Sequence, residues 1–196
     1  MVIDIKNIYE DNIMYSIEAD DKRSAVLKLI ESGADLSGAD LKGINLEGID
    51  LRNINFEGAN LKGANFKGAS LYRTNLKDAF LENADFRHSN LKGTNLSGSD
   101  CRGAKFNGAD LSYSDLHGAH FRGADFRGAN MDFANWSFSC KSLQAIVDDK
   151  LRIQMLYHAT KPTGDIVDTD LKELLNSELF RKVANKFHWV QKCGIC

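Results

Sequence analysis

The residues best equipped for chemistry stand near the end of the chain. Cys193 and Cys196 are separated by two residues, with His188 shortly before them. A Cys-x-x-Cys spacing suits a zinc ion or a redox pair, because both thiolates can reach one tetrahedral centre. A second Cys or His pair at matching spacing is missing. No metal or cofactor is therefore expected, and Cys193, Cys196 and His188 are the candidates if one is held. His117, His120 and Asp115 also lie close together, and histidine beside a carboxylate can serve a general base. Catalysis needs a concave, water-excluding site, however, and these residues sit in a stretch whose pattern builds a wall. With no nucleophile–base constellation and no phosphate-cradling loop, the chain is not expected to be an enzyme.

The element that positions Asp115, His117 and His120 is a repeat. From Ala34 to Phe138 a unit of five recurs 21 times: a small residue, Asp or Asn, a large apolar residue, a variable residue, and usually Gly. A period of five fits neither the 3.6 of a helix nor the 2.0 of a strand. Each unit must be a short extended piece followed by a bend. Side chains two apart on an extended piece share a face, so the first and third places point inward together and the second points out. Gly at the fifth place, 13 times in 21, permits the turn. Asp or Asn at the second place, 17 times in 21, can bond nearby backbone at a corner. The third-place residues, among them Leu36, Leu41, Phe66, Phe86, Phe106, Phe126 and Trp136, are the expected core.

The phenylalanines test how many units close one turn. If three units close it, the six third-place Phe residues spread evenly. If four close it, Phe66, Phe86, Phe106 and Phe126 share one column at a spacing of 20 residues. Like aromatics stack where the cross-section suits them, which favours four sides. The run resembles the pentapeptide repeat family, whose unit is written A(D/N)LXX. That resemblance implies an all-β solenoid, a right-handed quadrilateral parallel β-helix of about five coils, and at ~4.8 Å per coil a tube about 25 Å long.

Some members of that family carry strong negative charge, resemble B-form DNA and bind type II topoisomerases, giving quinolone resistance. Here residues 34–138 hold 13 acidic and 12 basic residues. A phosphate mimic needs a sustained negative surface. The near balance therefore favours a scaffold for an unknown protein partner over a gyrase-binding modulator, and nucleic acid is not expected as a partner. Departures from the repeat are the places to look for recognition. They cluster at residues 70–89. On four-sided indexing, Asn53, Arg73, Gly93, Tyr113 and Phe133 share one corner, flanked by Arg52, Tyr72 and Lys92. Interleaved basic and aromatic residues can hold an anionic or flat group, which makes Arg52, Tyr72, Arg73, Lys92, Tyr113 and Phe133 the interaction candidates. Another outward column reads Lys42, Lys62, Glu82, Arg102, Arg122, where Asp40, Asp100 and neighbouring acids are expected to neutralise the cations.

The end pieces divide the chain into 1–33, the repeat 34–138, and 139–196. Asp20 to Gly33 reads as a short helix that plugs the N-terminal end of the tube, with a strand over Ile13–Ile17 ahead of it. Residues 142–158 and 170–187 read as two amphipathic helices separated by a linker at Pro162. They form a helical cap, or a cap whose spare face pairs with a second copy to make a homodimer. No run of 18 apolar residues exists, so no membrane association is expected. Four scattered cysteines suggest a reducing, cytoplasmic setting, with Cys101, at a third place, as a buried hydrophobe.

Overall fold

The five backbone N–H groups of each unit decide the architecture, since every one needs an acceptor. In the computed structural model, which describes residues 1–10 and 12–135, a single unit shows how this is met. Leu41 N donates to Asn60 O at 2.8 Å and Gly43 N to Lys62 O at 2.9 Å, both one coil onward. Asn60 N donates back to Ala39 O at 3.0 Å. Ile44 N closes the turn on Leu41 O at 3.1 Å, and Lys42 N, left over, reaches the Asp40 side chain. The second-place Asp or Asn is therefore the acceptor for the one N–H that neither the coil-to-coil ladder nor the turn serves. Bridges join residues 20 apart in four parallel ladders, for example Asp40, Asn60, Phe80, Asp100 and His120. Four units thus make one turn, as the phenylalanine column predicts.

Along these ladders the second-place side chains also bond each other. Asn60 Nδ2 donates to Asp40 Oδ1 at 2.9 Å, and Asn75 Nδ2 to Asn55 Oδ1 at 2.9 Å. Asn can accept from its own turn and donate to the coil before it, which Asp cannot do when ionised. Inside, Leu36, Leu41, Phe66, Phe86, Phe106 and Phe126 are fully buried. Phe66, Phe86, Phe106 and Phe126 stack face to face, with centroids 4.9, 5.0 and 4.7 Å apart. Cys101 is fully buried beside the Ser99 hydroxyl, 3.2 Å away, and desolvation pushes its thiol up to about 12. It packs as a hydrophobe and is inert as a thiolate.

The N-terminal segment holds a hairpin of β1 (Val2–Lys6) and β2 (Ile13–Glu18), then α1 (Lys22–Glu31). Asp21 caps α1 by accepting from Ser24 N at 2.7 Å. The helix ends where Gly33 turns left-handed at φ 73. There Gly33 N bonds Ile30 O and Ala34 N bonds Leu29 O, the paired bonds of a Schellman stop. That stop delivers the chain directly into the first repeat.

The expected strand over 13–17 is present, but its partner strand, Val2–Lys6, was not anticipated. Capping also differs from the plug expected of the helix alone. The end of β1 and the loop that joins it to β2 close the first coil's open edge: Asp40 N donates to Lys6 O at 2.8 Å and Ile8 N to Gly38 O at 2.9 Å. Trp136, the two expected C-terminal helices, and Cys193, Cys196 and His188 lie outside the described residues.

Candidate functional site

The fifth place of each unit is left-handed, with φ between 55 and 74 at every residue there from Gly33 to Phe133 for which a positive φ occurs. Gly adopts this backbone freely, and Asn, Asp and His tolerate it better than other side chains. Seven non-glycine residues nevertheless occupy it: Asn53, Arg73, Asp78, Asn83, His88, Tyr113 and Phe133. Four of these are the tolerant types. The three that are not, Arg73, Tyr113 and Phe133, share one corner of the tube. A left-handed L-residue is disfavoured by roughly 1–2 kcal/mol, so this corner carries strain that Gly would relieve.

The side chains on and beside that corner line one edge of the tube as a ridge. Tyr113 and Phe133 stack with centroids 4.7 Å apart and planes 8° from parallel. They stay 56% and 42% exposed, where the buried Phe column is sealed from water. Lys92 Nζ lies 5.4 Å from the Tyr113 ring centre, and the Arg73 guanidinium 5.1 Å from that of Tyr72. The turns beneath are braced from within. Thr74 and Thr94 hydroxyls donate to Leu51 O and Leu71 O, at 2.7 and 2.6 Å, and Ser114 donates to Leu111 O at 2.6 Å. The structure thus places Tyr72, Arg73, Lys92, Tyr113 and Phe133 along one edge, in two contacting groups: Tyr72 with Arg73, and Lys92 with Tyr113 and Phe133. Arg52, at the same corner, turns its guanidinium to Asp50 at 2.6 Å.

Elsewhere much of the outward charge is paired. Arg87, Arg102 and Arg127 each clasp the Asp two residues earlier at 2.5 Å. The Arg127 guanidinium, helped by Asn107, holds Asp125 down at about 2 despite partial burial. In the Lys42–Arg122 column, Glu82 Oε1 lies 3.0 Å from both Lys62 Nζ and Arg102 Nη2. The neutralising acids are thus Glu82 and Asp100, whereas Asp40 accepts from Asn60 and from the Lys42 backbone. His117 and His120 are exposed on the wall, and Asp115 accepts from His117 N and from Asn135 Nδ2. The three are not gathered into a cleft. Among the described residues no cluster of three metal-binding side chains occurs, and no helix is long and apolar enough to cross a membrane.

The departures expected at residues 70–89 include Arg73, Asp78, Asn83 and His88; what was not anticipated is how they pack on the next coil. Arg73, Asp78, Asn83 and His88 replace Gly at all four corners of one full turn. Their side chains lean over Gly93, Gly98, Gly103 and Gly108 of the next coil. A Cβ on Gly98 would lie 2.1 Å from Asp78 Oδ1, and one on Gly108 would lie 2.6 Å from His88 Nδ1. The signal was available in the glycine that follows each of these residues 20 positions later. Tyr9 was also missed. Its ring covers Gly38 and Gly58, and its hydroxyl donates to Gly58 O at 3.1 Å.

Among solved structures, a pentapeptide repeat protein from the Arabidopsis thaliana thylakoid lumen is 26% identical. The match covers 64% of this chain and 76% of that one, with a TM-score of 0.45. Rfr23, a pentapeptide repeat protein of the cyanobacterium Cyanothece 51142, is 21% identical over 63% and 93%, with a TM-score of 0.46. QnrB1, a plasmid-mediated fluoroquinolone resistance protein, is 20% identical over 65% and 84%, with a TM-score of 0.28 in one of its structures. No curated protein matches the chain. The pentapeptide-repeat profile matches residues 32–68, 49–87, 64–103 and 104–135, more than half of the sequence. The chain therefore belongs to the pentapeptide repeat family, whose members form right-handed quadrilateral β-helices and are generally non-catalytic.

Proposed function

We propose that this protein is a non-catalytic interaction module that presents the ridge of Tyr72, Arg73, Lys92, Tyr113 and Phe133 to a protein partner. One observation carries the reading. The three residues least suited to a left-handed backbone, Arg73, Tyr113 and Phe133, all fall on one corner and are exposed there. Strain of this kind is a reason to look for function in the side chain that imposes it. Stacked aromatics flanked by cations also match the composition of interface anchors. The pairing of outer acids with Lys and Arg supports a scaffold over a DNA-mimicking rod, because mimicry needs a sustained negative potential.

The test is site-specific photo-crosslinking in cells. With p-benzoylphenylalanine in place of Tyr113, a discrete crosslinked protein is expected. The same group in place of His117, on another corner, should not give it. An identical pattern from both positions, or none from position 113, would contradict the proposal.

A further inference from the structure

We infer that the ridge receives an acidic polypeptide segment, with carboxylates at Arg73 and Lys92 and an aliphatic side chain against the edges of Tyr113 and Phe133. This rests on the interaction-module reading and goes on to the chemistry of the partner. The charge argument comes first. Arg52, Arg87, Arg102 and Arg127 each hold an Asp, and Lys62, Lys67 and Lys77 each hold a Glu. Arg73 and Lys92 form no ion pair among the described residues; their contacts are ring faces. Lys42, Lys105 and Arg122 also lack an ion pair among the described residues, but they lie in other columns of the tube. A ring face attracts a cation without cancelling its charge, so beside the exposed Tyr113–Phe133 stack Arg73 and Lys92 are the positive groups a partner's carboxylates can meet.

The rings then choose between classes of anion. Single-stranded nucleic acid binds by laying bases on aromatic faces. Phe133 covers the Tyr113 ring from the next coil, 4.7 Å away, and Lys92 covers it from the coil before. No base can enter between rings so spaced. What Tyr113 offers is its edge and its hydroxyl, which suit an aliphatic side chain with a polar neighbour. The backbone argues the same way. The fifth-place carbonyls of Asn53, Arg73, Gly93 and Tyr113 accept no hydrogen bond among the described residues. A polypeptide has N–H groups to give them, and a phosphodiester backbone has none.

Spacing sets the register. Arg73 and Phe133 are three coils apart, roughly 14 Å at ~4.8 Å per coil, the reach of about four extended residues. The segment should therefore carry its carboxylates and its aliphatic residue about four positions apart.

The experiment is selection of a display library of random twelve-residue peptides on the full chain. Selected peptides are then assayed against R73E/K92E and Y113G/F133G, with oligothymidylate as a parallel probe. The charge reversals lie on exposed side chains, and Gly suits the backbone at 113 and 133, so the variants should fold. Enriched peptides should be acidic with an aliphatic residue, and R73E/K92E should weaken them roughly tenfold or more. Peptides without net negative charge, peptides that bind R73E/K92E as well as the parent, or no enrichment at all would overturn the inference. Oligothymidylate binding abolished by R73E/K92E would replace it with nucleic-acid binding. If crosslinking at position 113 still captures a protein, only the acidic chemistry falls. If that also fails, the interaction-module reading falls with it.

Discussion

Two aromatic stacks run along this tube at nearly the same pitch. Inside, Phe66, Phe86, Phe106 and Phe126 sit 4.7 to 5.0 Å apart and fully buried; outside, Tyr113 and Phe133 sit 4.7 Å apart and roughly half exposed. The coil rise imposes the spacing on both, so spacing alone says nothing about purpose. Backbone and burial separate them. The inner rings occupy extended positions that accept any large apolar residue and fill a cross-section nothing else would fill. The outer pair occupies left-handed positions that Gly fills elsewhere, and shields little from water. One stack is the fold. The other is carried by the fold.

The strongest way to break this contrast is to truncate each stack. Phe106→Ala opens a cavity between Phe86 and Phe126, and should destabilise by about 3–5 kcal/mol in equilibrium denaturation. A loss below ~1 kcal/mol would mean that the inner column is not the core it is taken to be.

Corner glycines give a second, smaller contrast. Gly98→Ala combines left-handed strain with a Cβ aimed at Asp78, and should cost about 2 kcal/mol. Gly63→Ala, with open space at its Cβ, should cost only about 1 kcal/mol. Adding Asp78→Gly should recover part of the first loss and none of the second. Equal losses at both sites would refute the leaning of coil 73–88 over its successor.

Acid should act on the paired outer surface. Asp125 drops from its ordinary 3.8 to about 2 in the folded chain, and Asp50, Asp85, Asp100, Glu47 and Glu57 are lowered as well. For Asp100, burial opposes the lowering and the bonds from Arg102 override it. A lowered folded value stabilises above the unfolded one, and that contribution disappears as pH falls toward the folded value. The melting temperature should be flat from pH 7 to 5 and fall between about pH 4 and 2. Asp125→Asn should lessen the fall, and an unchanged slope would contradict the assigned pairing.

Much of the fold was legible because the repeat over-determines it. The five-residue period and the inward first and third places point to a tube, and the 20-residue Phe column gives it four sides. The candidate corner was legible once that index was known, since Arg73, Tyr113 and Phe133 stand where Gly is expected. Its strain was not, because dihedral angles follow from the turn geometry that the coils share. The N-terminal hairpin was hidden for another reason. Val2–Lys6 gains its meaning only from pairing with Ile13–Glu18 and from meeting Asp40, contacts with no local signature. Tyr9 over Gly58 is likewise a contact across 49 residues.

The claim that the outer ridge is carried rather than needed is tested most directly by the denaturation midpoint of the triple variant R73G/Y113G/F133G. Gly relieves the left-handed strain, while losing the exposed stack and gaining unfolded-state freedom work against it. The net should leave stability within about 1 kcal/mol of the parent, or above it. A loss of more than about 2 kcal/mol would show that these side chains hold the tube together, and the contrast between the two stacks would fail.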